Sequence, residues 1–83
     1  MENQTFYLLC SLVEMEESVS TQHFLYTDRD KAINALEHEI YSCAENFNFD
    51  EGKFVVDNPT YYEFRDEDGY GFEVWIEEIK PIN

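Results

Sequence analysis

Apolar side chains recur at Ile33, Leu36, Ile40, Cys43 and Phe47. Spacings of three and four put them on one stripe of a helix, predicted over residues 28–47, that faces a core. Thr27 is placed to cap it, with Asp30 three residues on, and acids at a helix start complement its dipole. On either side of this segment the period changes to two. Residues 5–13 read as a strand rich in β-formers, with Phe6, Leu8, Cys10 and Leu12 on one face and Tyr7, Leu9, Ser11 and Val13 on the other. Both faces are mostly apolar, which suits a strand covered on two sides or one whose second face meets another subunit. A polar turn at residues 14–18 leads to a second strand at 19–26, with Phe24 and Tyr26 on one face. Beyond the helix, Asp50-Glu51-Gly52 and Asp57-Asn58-Pro59 are turn signals around a short strand at 54–56. Residues 60–65 and 70–79 form the last two strands, and Pro81 ends the pattern.

The register of the final hairpin follows from parity. Phe72, Val74 and Ile76 alternate with Glu73, Trp75 and Glu77; Tyr62 and Phe64 alternate with Tyr61, Glu63 and Arg65. Like faces align only across a loop with an odd number of residues, because a slip of one flips every side chain. A three-residue loop, Glu67-Asp68-Gly69, with Gly69 in the left-handed position, meets that condition. Tyr61 then opposes Trp75, Tyr62 opposes Val74, Phe64 opposes Phe72, and Glu63 opposes Glu73. Like charges directly opposite on a sheet cost roughly 0.2–1 kcal/mol, a cost that the diagonal Arg65 would partly offset. The order β-β-α-β-β-β predicts an α+β domain spanning residues 1–83, an antiparallel or mixed sheet with one helix packed on one face.

Composition changes this picture mainly through charge. Nineteen Asp and Glu against five Lys and Arg give a net charge of -14 over 83 residues. The acids are spread through the helix and strands, so this is no detachable acidic tail. An aromatic fraction of 17% argues for a folded core despite the charge. Direct binding to nucleic acid or to an anionic membrane is excluded as the expected function, since those contacts need Lys and Arg. Basic proteins or cations are the favoured partners. The start, Met1-Glu2-Asn3-Gln4, lacks a basic leader, and apolar runs such as 6–10 are too short to span a bilayer. Two widely spaced cysteines suit a reducing compartment, and the cytoplasm is the expected location.

Catalytic and metal signals are weak. Cys10 and Cys43 both fall on apolar faces and read as buried thiols. Neither His23 nor His38 has Cys or Asp at ligand spacing. Asp66, Asp68, Gly71 and Glu77 follow the spacing of a calcium-binding EF-hand loop, but Tyr70 replaces a ligand and the alternation from residue 70 onward demands a strand. There is no phosphate loop or nucleophile elbow. No enzyme activity, metal or cofactor is expected.

The outward face of the hairpin carries Tyr61, Glu63, Arg65, Glu73, Trp75 and Glu77, and its tip carries Asp66, Glu67 and Asp68. Strand residues two apart are separated by roughly 6.6 Å, about twice the ~3.4 Å rise per phosphate along one DNA strand. Carboxylates at that pitch, with aromatics between them, can imitate a phosphate row. In size, charge and this aromatic-acid hairpin the chain resembles the small acidic DNA-mimic proteins of phages and mobile elements, the anti-restriction and anti-CRISPR inhibitors. The resemblance is one of kind and rests on no shared motif. It implies a non-enzymatic inhibitor that occludes the basic, nucleic-acid-binding surface of a protein partner. The expected contacts are Tyr61, Glu63, Asp66, Glu67, Asp68, Glu73, Trp75 and Glu77. Two other readings fit the sequence: an adaptor or immunity-type inhibitor that does not imitate DNA, and an acidic housekeeping domain that forms a homodimer through its first strand.

Overall fold

A computed structural model describes residues 4–80; Pro81 and the first three residues lie outside that range. Five strands and one helix follow in the order expected: β1 (Phe6–Met15), β2 (Ser18–Tyr26), α1 (Arg29–Ala44), β3 (Gly52–Asn58), β4 (Tyr61–Asp66) and β5 (Gly71–Ile79). All neighbouring strands are antiparallel, in the sheet order β2-β1-β5-β4-β3. The fold is α+β, with the helix on one face of the sheet.

Asp28, rather than Thr27, caps the helix. Its backbone is extended and its Oδ1 accepts from the N–H groups of Asp30 at 2.8 Å and Lys31 at 3.3 Å. Asp at this position satisfies two orphan donors and places a negative charge at the positive end of the dipole. The helix closes at Ala44, earlier than its apolar stripe suggests. Asn46 N–H donates to the Cys43 carbonyl and Phe47 N–H to that of Ala44, the three-residue bonds of a tightening last turn. Phe47 still packs against the core because this turn folds back onto the sheet.

Leu36 and Cys43 from the helix pack with Leu9, Phe64, Phe72 and Val74 from the sheet, all buried. Ala32, outside the expected stripe, is fully buried too. A helix roughly 10 Å across cannot cover five strands about 4.8 Å apart. Aromatics complete the layer over β4 and β3. Phe64 and Phe72 stack at 5.5 Å, and Phe49, from the short 3-10 turn Phe49–Glu51, meets Phe64 edge-on at 5.1 Å. Phe54 on β3 joins them, 5.5 Å from Phe64.

β3 is longer than its apolar pattern indicates because a bulge between Phe54 and Val56 breaks the alternation. The β4–β5 hairpin has the predicted register throughout: Tyr61 opposite Trp75, Tyr62 opposite Val74, Glu63 opposite Glu73 and Phe64 opposite Phe72. Gly69 has φ of 87°, the left-handed position of the three-residue loop. Because β5 runs as strand from Gly71, the EF-hand spacing gathers no calcium-binding loop.

Candidate functional site

Strand parity sends Leu9, Phe64, Phe72 and Val74 to the helix, so the alternate residues form the opposite, open face. Cross-strand pairing arranges them in rows. One row runs His23, Cys10, Trp75, Tyr61 and Asn58; the next runs Thr21, Leu12, Glu73, Glu63 and Val56. A third joins Leu25, Leu8 and Glu77, and a fourth Val19, Glu14, Gly71, Arg65 and Lys53. The expected hairpin residues Tyr61, Glu63, Glu73, Trp75 and Glu77 therefore share one surface, with Asp66, Glu67 and Asp68 at its end.

At the centre of this surface Tyr61 and Trp75 stack with ring centroids 6.1 Å apart. The carboxylates around them differ in condition. Arg65 Nε donates to Glu63 at 2.8 Å, and its guanidinium lies 3.5 Å from Glu14 and 3.8 Å from Glu73. Tyr61 Oη donates to Glu73 at 2.8 Å. Glu63, Glu73 and Arg65 side chains each retain only 20% of their exposure, whereas Glu14 retains 39%. The like-charge pair foreseen at Glu63 and Glu73 is thus held by a shared guanidinium and phenol. Asp66 is also engaged: its Oδ1 accepts from the N–H groups of Asp68 and Tyr70, which shapes the loop. Glu67, Asp68 and Glu77 remain exposed. Glu77 accepts from the Trp75 indole N–H at 3.0 Å, which fixes the ring's direction.

The hydrogen bond to Glu73, followed by burial and the charges of Glu73 and Glu63, pushes the Tyr61 phenol up to about 12. The hydrogen bond from Arg65 leads in holding the Glu63 carboxyl below its ordinary value, against the opposing effect of burial. Burial works against the Arg65 charge, but hydrogen bonding to Glu63 and the three carboxylates outweigh it and raise its pKa. Burial, with the Glu39 carboxylate beside it, pushes the Cys43 thiol up to about 12. Burial, then the charge of Glu77, raises the thiol of Cys10 as well. Cys43 lies in the helix-side core; Cys10 lies on the open face, flanked by His23 and Trp75 and only 2% exposed.

Two features of this surface escape a reading of the hairpin alone. Glu14 joins the carboxylates because β1 continues to Met15, two residues past its apolar run. The half of the face nearest β2 is apolar: Phe6, Leu8 and Leu12 on β1 have no second layer over them, and Leu25 and Ile79 beside them are exposed. The parity of β1 carried that signal. On the other side of the sheet, a groove of about 360 Å³ at the helix seam is lined by Glu37, Tyr41, Phe49, Phe54, Asp57 and Tyr62, together with Ile40. Among the described residues no cluster of His, Cys, Asp and Glu could hold a metal ion, and no helix is long and apolar enough to cross a membrane. No family model, curated protein or solved structure matches the chain.

Proposed function

We propose that the chain is a non-enzymatic acidic binding protein whose open sheet face occludes a basic, nucleic-acid-binding surface on a protein partner. The observation that carries this reading is the stacked Tyr61–Trp75 pair, bordered by carboxylates on a face the helix leaves free. The exposed acids Glu67, Asp68 and Glu77 would steer encounter with Lys and Arg, and the aromatic pair would supply the desolvated anchor that slows escape. Glu63 and Glu73, held by Arg65 and Tyr61, would present a fixed negative surface with little ordering cost on binding. The setting we assign is the cytoplasm, of a bacterium or of a cell hosting a phage or mobile element, where such an inhibitor would act against a host or defence protein.

A second reading, a protein-specific adaptor or immunity-type inhibitor, draws support from the apolar half of the same face. Phe6, Leu8 and Leu12 have no counterpart in a DNA backbone. Competition separates the two. The partner would be captured from bacterial lysate at low salt and challenged with duplex DNA and with NaCl. Under the mimic reading DNA displaces the protein and a salt ramp elutes it, because phosphate-binding residues are shared and the contact is electrostatic. A partner retained through both treatments supports the adaptor and contradicts mimicry.

A further inference from the structure

The sheet has two edges, β2 and β3, and they are built differently. β3 carries Lys53 and Asp57, a bulge that twists it, and a 3-10 turn leading into it. Charges and bulges of this kind deter another strand from adding to an edge. β2 has none of them. Ser-Val-Ser-Thr-Gln-His-Phe-Leu-Tyr contains no Asp, Glu, Lys, Arg, Gly or Pro and pairs with β1 in unbroken register. It is the only one of the five strands without a formal charge, in a chain with nineteen acids. Every residue of it except Tyr26 is exposed, Val19 at 64% and Leu25 at 61%. A nine-residue strand runs roughly 30 Å, and alternate residues direct their N–H and C=O groups away from the paired strand.

We propose that β2 pairs antiparallel with β2 of a second copy, about a two-fold axis at Gln22, joining two five-stranded sheets into one of ten. The pairing is self-complementary, as a two-fold interface requires. Ser18 falls opposite Tyr26, Val19 opposite Leu25, Ser20 opposite Phe24 and Thr21 opposite His23, so in most pairs a small side chain meets a larger one. Charge, which opposes self-association of so acidic a chain, is weakest here. The carboxylates of the two β5 strands would be five strand spacings apart, about 24 Å, beyond the ~8 Å screening length at physiological salt. The Glu16-Glu17 turn of one copy would come beside the residues that follow β2 in the other, where Asp28 is accompanied by Arg29. An axis perpendicular to the sheet puts both helices on one side and both open faces on the other. The apolar halves then meet at the centre, with the acidic hairpins outside. This pairing goes beyond the proposed binding role and does not depend on it.

Sedimentation equilibrium over a concentration series tests it on the full chain. The wild type should approach twice its 9.9 kDa mass. The V19E/L25E variant sets carboxylates opposite one another twice across the axis, and its dimer should be at least roughly ten-fold weaker. V19K/L25E sets an ammonium opposite a carboxylate twice, and should recover dimerisation. Within one chain these positions lie at opposite ends of β2 and cannot reach one another. Val19 does lie opposite Glu14 of its own chain; thermal melts of the variants read that effect on folding, separately from the concentration dependence that reports the dimer. Both side chains are exposed, and circular dichroism should be the same for all three proteins. A wild type that stays monomeric overturns the proposal, as does a V19E/L25E variant that dimerises normally or a V19K/L25E variant that does not recover.

Discussion

Gly71→Ala should destabilise the fold by more than about 3 kcal/mol, above the usual cost of overpacking, because the atoms in the way are backbone. A Cβ at Gly71 would overlap the carbonyl of Phe64 and crowd the Cα of Arg65. No rotamer change relieves such a contact; β4 and β5 would have to separate where they lock the buried Phe64–Phe72 pair in place. An 83-residue domain holds roughly 4–12 kcal/mol in total, so this loss would leave much of the protein unfolded at moderate temperature. Gly69→Ala is the informative comparison. Gly69 has open space around it but a φ of 87°, so the substitution should cost only the ~1–2 kcal/mol of left-handed backbone. Urea denaturation of both variants would rank them, and the reverse order would contradict the hairpin geometry described above.

Arg65→Ala should cost about 2 kcal/mol, lowering the melting temperature by roughly 10 °C. The guanidinium sits among Glu14, Glu63 and Glu73, and its removal leaves Glu63 facing Glu73 with only the Tyr61 phenol between them. The pH dependence distinguishes this cause from lost packing. Glu63 has its pKa lowered in the folded state, so its contribution is present above the ordinary carboxylate range and is lost as pH falls through the lowered value. Protonation of Glu63 also relieves the variant of its repulsion. Thermal melts from pH 7 down to below the ordinary carboxylate range should therefore show the gap between wild type and variant narrowing. A gap that is constant with pH would assign Arg65 a packing role instead.

The hairpin was legible in the sequence because a period of two, a glycine and a parity constraint allow one register for Tyr61, Glu63, Glu73 and Trp75. The helix was legible through its stripe, but its ends were not. Thr27 and Asp28 are both good caps, and only the local backbone decides that Asp28 reaches the N–H groups of Asp30 and Lys31. The bulge beside Val55 hid most of β3, since an inserted residue destroys the alternation that announces a strand. The open face was half visible. Its aromatic-acid portion lies within one hairpin, whereas Glu14 reaches Arg65 across 51 residues of sequence, a pairing that strand order alone creates. The apolar second face of β1 suits a strand covered on two sides or one that meets another subunit; the helix packs on the opposite face, and among the described residues no second layer covers this one.

The most direct test of the open face as the binding surface is the kinetics of partner binding by three variants. Trp75→Ala removes the anchor and should speed dissociation with little effect on association. Reversal of the exposed acids in E67K/D68K/E77K should slow association, with an effect that fades at high salt. Glu73 is better left intact, because a cation there would face Arg65 and disturb the fold. K31E/H38E alters the exposed outer face of the helix, on the far side of the sheet, and should bind as wild type does. Loss of binding in the helix variant alone, with normal rates for the other two, would contradict the account.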